Sequence, residues 1–185
     1  TIIERRPLGP RDVRIDLKFC GICHSDLVAA SDKLGGGIFP MVPGHEMVGT
    51  VSEMGTDVED FAVGDAVGVG CIADSCRSCH SCNMGDEHYC EEGFTLSFNS
   101  RDREGRVNYG GYSSDYVVDY EYLVPIPKGA DLAKMAPLLC GGITVYTPLK
   151  RFNVGPGTTL CVLGMGGLGH LAIQFAKAMG ARVIV

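Results

Sequence analysis

Residues 159–185 read TLCVLGMGGLGHLAIQFAKAMGARVIV. A short apolar run, Thr159 to Leu163, meets a glycine turn; Leu171, Ala172, Phe175, Ala176 and Met179 then recur at helical spacing. Gly180 supplies a helix stop, and Arg182 to Val185 begins a second apolar strand. Strand, glycine loop, helix and strand make one βαβ unit. Gly164-Met165-Gly166-Gly167-Leu168-Gly169 match G-x-G-x-x-G in the strand-to-helix position where that pattern has a mechanism. The first glycine permits the turn, the second lets the backbone approach a pyrophosphate, and the third lets helix and strand pack closely. The helix N-terminus turns unpaired N–H groups toward the phosphate. One βαβ unit cannot cover both faces of its sheet. The stretch is therefore expected to open a larger doubly wound parallel sheet, and the chain to be a piece of a longer protein with parts missing at both ends.

Upstream the text changes. Asp131 is placed to cap a short helix over Leu132 to Ala136, and Leu138 to Leu149 reads as a second helical piece. Before Pro127 the pattern is β-rich. Residues 13–19 alternate apolar and polar, and Met47 to Val69 is a valine-rich stretch broken by Gly49, Gly55, Gly64 and Gly68. Residues 112–126 return to strand-like text. Short strands with turn glycines suggest a small barrel-like domain. The overall expectation is an α/β chain with a β-rich part: one domain over residues 1–140 and an incomplete second over 141–185.

Between the strands, Cys76, Cys79, Cys82 and Cys90 read C-x-x-C-x-x-C with a fourth cysteine seven residues further on. Two-residue gaps let neighbouring thiolates turn onto one ion, and four thiolates close a tetrahedral zinc shell with no open position, a structural site. Such an ion would fold the polar 76–90 knuckle, which has too little apolar surface to fold alone. An iron–sulfur cluster and four buried cysteines without an ion are the alternatives, although bacterial ferredoxins place the fourth cysteine sooner and before proline. His80 and His88 read as surface residues. The nine cysteines, with no secretory leader visible, point to metal ligation in a reducing cytoplasm and not to disulfides. A formal charge of −6 argues against a nucleic-acid or anionic-membrane partner. The most apolar stretch, Thr158 to Ala176, is broken by glycines, His170 and Gln174 and does not read as a membrane span.

Three further segments gain meaning together. Cys23 lies in Gly21-Ile22-Cys23-His24-Ser25-Asp26, His45 in Gly44-His45-Glu46-Met47-Val48-Gly49, and Cys140 in Leu138-Leu139-Cys140-Gly141-Gly142-Ile143-Thr144-Val145-Tyr146. Two thiolates and one imidazole would leave a fourth zinc position for water or substrate, the pattern of a catalytic site. With the knuckle between the second and third segments, the chain resembles the medium-chain zinc alcohol dehydrogenases, and within them the cinnamyl-alcohol dehydrogenase and aldehyde-reductase branch. Asp65-Ala66-Val67-Gly68-Val69-Gly70 adds to the likeness. It covers nearly the whole chain but about half of a complete family member.

The resemblance implies a GroES-like β-barrel catalytic domain followed by the start of a Rossmann domain. It also implies two zinc ions, a nicotinamide cofactor with NADP favoured over NAD, and a small alcohol or aldehyde substrate. The family usually forms dimers or tetramers. By the same resemblance Cys23, His45 and Cys140 hold the catalytic zinc, with Glu46 beside it as an outer carboxylate or occasional ligand. Asp26 orients His45, because a zinc-bound imidazole needs a partner on its other nitrogen. Ser25 bonds the substrate oxygen and passes its proton on. His24 sits near the cofactor pyrophosphate, and Thr144 is carried over as a cofactor contact with the glycine loop. Relatives often end the proton relay with a histidine two residues after the aspartate; Val28 stands there in this chain. The residue that chooses between NAD and NADP lies past Val185. Phe94, Leu96 and Phe98 are candidates to line a substrate pocket, though packing is the commoner fate of such side chains.

Overall fold

The computed structural model describes residues 2–185. They divide into two compact units, one ending at Leu139 and the other Cys140–Val185. In chain order the first unit contains β1 (Asp12–Cys20), α1 (His24–Ala30), β2 (Met47–Met54), β3 (Ala66–Val69), β4 (Ile72–Asp74) and α2 (His80–Asn83). It continues with β5 (Thr95–Leu96), β6 (Ser100–Arg101), β7 (Val107–Asn108), β8 (Asp115–Asp119), β9 (Val124–Pro125) and α3 (Leu132–Met135). The second unit holds α4 (Gly141–Arg151), β10 (Thr159–Cys161), α5 (Gly167–Ala178) and β11 (Arg182–Ile184).

Five strands form one antiparallel sheet in the order β8-β1-β2-β3-β9. Alternation along β1 sends Val13 and Ile15 into a core shared with Met47, Val51, Val67, Val69, Tyr116 and Val118. The alternation then fails. Leu17 pairs with Gly49 but Phe19 pairs with Val48, so Lys18 is an extra residue in β1. That bulge flips the phase of the strand and turns Phe19 outward, 49% exposed, where strict alternation would bury it.

The strand-like text at 112–126 is also interrupted. Asp119 accepts a hydrogen bond from the Glu121 amide at 3.0 Å and caps a 3₁₀ turn over Tyr120–Tyr122, so two short strands replace one long one. Asp131 caps α3 as expected, accepting from Ala133 N–H at 3.1 Å. The second helical piece begins later than its apolar spacing predicts. Ala136–Leu139 is a 3₁₀ turn, Cys140 breaks the run at φ −124° and ψ −73°, and the α-helix starts at Gly141.

In the second unit β10 and β11 pair in parallel, with Leu160 opposite Val183. The helix α5 connects them, and its Phe175 meets Tyr146 of α4 edge-on at 5.8 Å. Gly180 takes φ +87° and donates to the Lys177 carbonyl at 3.0 Å, ending α5 where the sequence placed its stop. Among the described residues no helix is long and apolar enough to cross a membrane.

Ile15 of β1 is fully buried between Val51 of β2 and Tyr116 of β8. Ile15→Ala is expected to lower unfolding free energy by about 2–5 kcal/mol, the range for truncating a buried aliphatic side chain. Urea denaturation followed by circular dichroism measures this, and a loss well below that range would show that the core is not centred there.

Candidate metal and cofactor sites

The knuckle follows β4 and brings its four sulfurs together: ligand atoms of Cys76, Cys79, Cys82 and Cys90 lie within 4.8 Å of one another. Backbone amides point at the sulfurs, with Cys79 N 3.3 Å from Cys76 Sγ and Cys76 N 3.4 Å from Cys90 Sγ. Amide donors from Ser78 and Cys79 pull the Cys76 thiol down to about 6. A hydrogen bond from Ser75 works to lower Cys82 too, but burial and the neighbouring Cys79 and Cys90 sulfurs push it up to about 11. Sulfurs packed this closely cannot all become thiolates without a cation among them, so the donor set fits a tetrahedral zinc ion.

Two arginines tie the knuckle down, Arg77 to the sheet and Arg103 to the neighbouring loop. Arg77 takes a left-handed φ of +57° and pairs with Asp74 at 3.0 Å and with Asp119 at the end of β8. Arg103 donates to the carbonyls of Ser75 at 3.0 Å and Gly93 at 3.1 Å, pairs with Glu92 at 3.1 Å, and reaches to 3.9 Å from Cys90 Sγ. His80 and His88 are both exposed, as their surface reading required.

A second group forms at one end of the sheet. β1 ends at Cys20 opposite Met47, where β2 begins, and Gly21 N–H bonds the Glu46 carbonyl at 3.0 Å. This pairing sets the segment after β1, with Cys23, beside the segment before β2, with His45 and Glu46. A Cβ at Gly21 would overlap the Glu46 carboxylate, so glycine makes room for that side chain. Leu139 lies over Gly68 of β3, where a Cβ would come 2.7 Å from Leu139 Cδ1, and the next residue along the chain is Cys140. Candidate ligand atoms of Cys23, His45 and Glu46 lie within 4.8 Å of one another.

Asp26 organises this group. It is 3% exposed and stands at the third position of α1, where its Oδ2 accepts the Cys23 amide at 2.9 Å and closes the helix start. Its Oδ1 accepts Gly44 N–H at 2.9 Å and lies 3.0 Å from His45 Nδ1. Accepting from Nδ1 leaves the lone pair of the neutral ring on Nε2, the nitrogen available to a metal. Burial opposes the Asp26 charge, but hydrogen bonds from His45, the Cys23 amide and Tyr112 outweigh it and hold the carboxyl below its ordinary range. Glu46 has no such company: burial raises its carboxyl above the usual value. A thiol, an imidazole held by a carboxylate and a neighbouring Glu46 are donors that suit zinc.

Ser25 is exposed, its Oγ 3.6 Å from Cys23 Sγ, and His24 beside it is exposed as well. Val28 is half-buried. Phe98, a candidate pocket residue, is buried and stacks on the His45 ring at 5.7 Å and 19°, whereas Phe94 and Leu96 are partly exposed. No local pattern signals that stacking, or the Tyr112 hydroxyl 2.8 Å from Asp26 Oδ2, because each joins segments far apart in the chain.

The glycine loop has the form its motif demands. Gly164 takes φ +90°, and a Cβ at Gly169 would strike the Gly164 carbonyl. Cβ atoms at Gly166 and Gly167 would meet nothing within 4 Å. Backbone is thus bare at the N-terminus of α5, where a phosphate could approach. Met165 and Leu168 are exposed, as is Thr144, one turn into α4 with its amide bonded to the Cys140 carbonyl at 3.0 Å.

The family model described as the alcohol dehydrogenase GroES-like domain matches residues 9–128. The chain is 56% identical over its whole length to a probable formaldehyde dehydrogenase of Bacillus subtilis, and covers 53% of that protein. The crystal structure of CAD from Helicobacter pylori complexed with NADP(H) superposes with a TM-score of 0.93 at 45% identity, over 97% of this chain and 52% of that one. A cinnamyl alcohol dehydrogenase of Sorghum bicolor superposes with a TM-score of 0.94 at 44% identity, over 98% of this chain and 52% of that one. The chain thus spans about half the length of the relatives it matches.

Cys82→Ser is expected to remove one zinc equivalent per chain and to open the knuckle to proteolysis, because the ion replaces the core that segment lacks. Metal analysis with limited trypsin digestion tests this; a protease-resistant variant that keeps all its zinc would contradict it.

Proposed function

Because the chain belongs to the alcohol dehydrogenase GroES-like domain family, we propose that the complete protein is a zinc-dependent oxidoreductase moving a hydride between a primary alcohol or aldehyde and NADP. The observation that carries this reading is the group of Cys23, His45 and Glu46, with the His45 ring held by Asp26; the family likeness adds Cys140 as the third ligand. Two zinc ions per chain follow, one in each group, and residues 1–140 act as the catalytic domain with 141–185 beginning the cofactor domain. The NADP preference is supported by the Helicobacter pylori neighbour, which holds that cofactor. A reducing cytoplasm suits nine cysteines.

When bound, zinc supplies Lewis acidity to the substrate oxygen and the nicotinamide supplies the hydride acceptor or donor. Cys23, His45 and Cys140 hold the ion, and Glu46, kept from ionising easily by burial, waits beside it. Asp26 fixes the His45 tautomer. Ser25 Oγ bonds the substrate hydroxyl and takes up its proton during oxidation, returning it during reduction. The Val28 side chain can neither donate nor accept a proton, so the proton that Ser25 passes on would go to water. His24, Thr144 and the 164–169 loop hold the cofactor, the loop by bare backbone at a helix start.

In the complete protein Cys140→Ser is expected to lower aldehyde reduction by about a thousandfold or more, with the far-ultraviolet spectrum and the knuckle zinc retained. Steady-state assays with both nicotinamide cofactors, beside zinc analysis, decide it; a variant with near-normal turnover would remove Cys140 from the site and the reading with it.

A further inference from the structure

The geometry points to Tyr112 as a positioning residue for the His45 ligand, acting through Asp26. This rests on the metal site proposed above and adds a residue to it.

Three observations carry the assignment. First, the Tyr112 hydroxyl lies 2.8 Å from Asp26 Oδ2, with the Gly21 carbonyl at 3.2 Å as a second neighbour. The shorter, charged acceptor takes the hydrogen. Second, an ionised carboxylate offers about four acceptor sites, and the donors on Asp26 fill them: Gly44 N–H and His45 Nδ1 on one oxygen, Cys23 N–H and Tyr112 Oη on the other. Three of the four come from α1 or the His45 loop itself. Tyr112 alone comes from a separate segment, so it sets the carboxylate plane against an outside reference.

Third, the segment that carries Tyr112 is built onto the His45 loop. Gly110 N–H bonds the Val42 carbonyl at 2.6 Å, Gly111 N–H the Gly44 carbonyl at 2.9 Å, and Tyr112 N–H the Pro43 carbonyl at 3.0 Å. Gly44 takes φ +107°, and a Cβ there would come 2.8 Å from Tyr112 N. Behind this ladder Arg5 donates to the carbonyls of Tyr109, of Gly110 at 3.0 Å and of Asp115 at 2.7 Å, and to Ser113 Oγ at 2.6 Å. The hydroxyl therefore stands on a braced frame that also fixes the backbone of His45. The ring itself is 40% exposed, so removing the oxygen leaves its packing in place. Without it, Oδ2 keeps only the Cys23 amide, the carboxylate can turn, and the Nδ1 contact that aims Nε2 loses its alignment.

The test compares Tyr112→Phe with the wild type in the complete, zinc-loaded protein, by chelator-driven release of each zinc equivalent and by the visible spectrum after cobalt replacement. The four-cysteine zinc is an internal reference, since none of its ligands touches Tyr112. Tyr112→Phe is expected to release the zinc at Cys23, His45 and Cys140 about tenfold faster, as loss of an outer partner does at metal-bound histidines. The cobalt bands of that site should shift while knuckle release is unchanged. Release and bands both matching the wild type would overturn the assignment, and so would equal acceleration of both equivalents, which marks general loosening. Should Cys140→Ser bind as much zinc as the wild type, the metal site itself is wrong and Tyr112 falls with it; that outcome is separate from the failure of Tyr112→Phe.

Discussion

A single buried carboxylate can join as many chain segments as it has acceptor sites, and Asp26 uses all of its sites. It closes the start of α1, fixes Gly44, orients His45 and receives Tyr112. An ionised group at 3% exposure is costly to keep unless its oxygens are satisfied. Each donor is therefore needed by the others: loss of one weakens the reason for the remaining three to hold their places. The proposed metal ligands Cys23 and His45 take their geometry from this node, since Cys23 is the cap of the helix that Asp26 closes and His45 is its direct partner.

The two ligand groups solve different physical problems. At the knuckle apolar surface is scarce, and the four sulfurs with the proposed cation would take the place of a core; the arginines at 77 and 103 fasten the segment to β8 and to the neighbouring loop. At the end of the sheet the core already exists. There the strands β1 and β2 deliver Cys23, His45 and Glu46 by the pairing of Cys20 with Met47, and the polar chemistry is laid over a finished hydrophobic layer. A closed thiolate shell can serve folding, while a mixed set with an imidazole can leave room for a substrate.

What could be read in the sequence was what depends on short spacing. The C-x-x-C pairs, the glycine loop with its following helix, the Asp131 cap and the Gly180 stop all express interactions within a few residues, and each took the expected form. The wider ligand group was legible only by family likeness, since nothing in the residues around Cys23, His45 or Cys140 states which others they meet. Phe98 against His45, Arg103 against the knuckle and Tyr112 against Asp26 were not legible at all. They join segments 13 to 86 residues apart, and aromatic or arginine side chains at those positions would look the same in an ordinary core or surface. The late start of α4 escaped for another reason: apolar spacing continues through Cys140, but its backbone leaves the helical region there.

The extra residue at Lys18 works as a phase shifter for everything downstream of it. By inserting one unpaired position into β1 it sends Phe19 to solvent and brings Cys20 to the inner side, where its sulfur lies close against Gly44 and Gly111. The short Gly21-Ile22 link then has to carry the chain only two residues to Cys23. A strand of perfect regularity would reach the end of the sheet facing the wrong way, with an aromatic ring where the loop bearing the imidazole now rests. The irregular ladder is thus a length adjustment, and any homologue that repairs it must recover the missing half-period elsewhere before its ligands can meet.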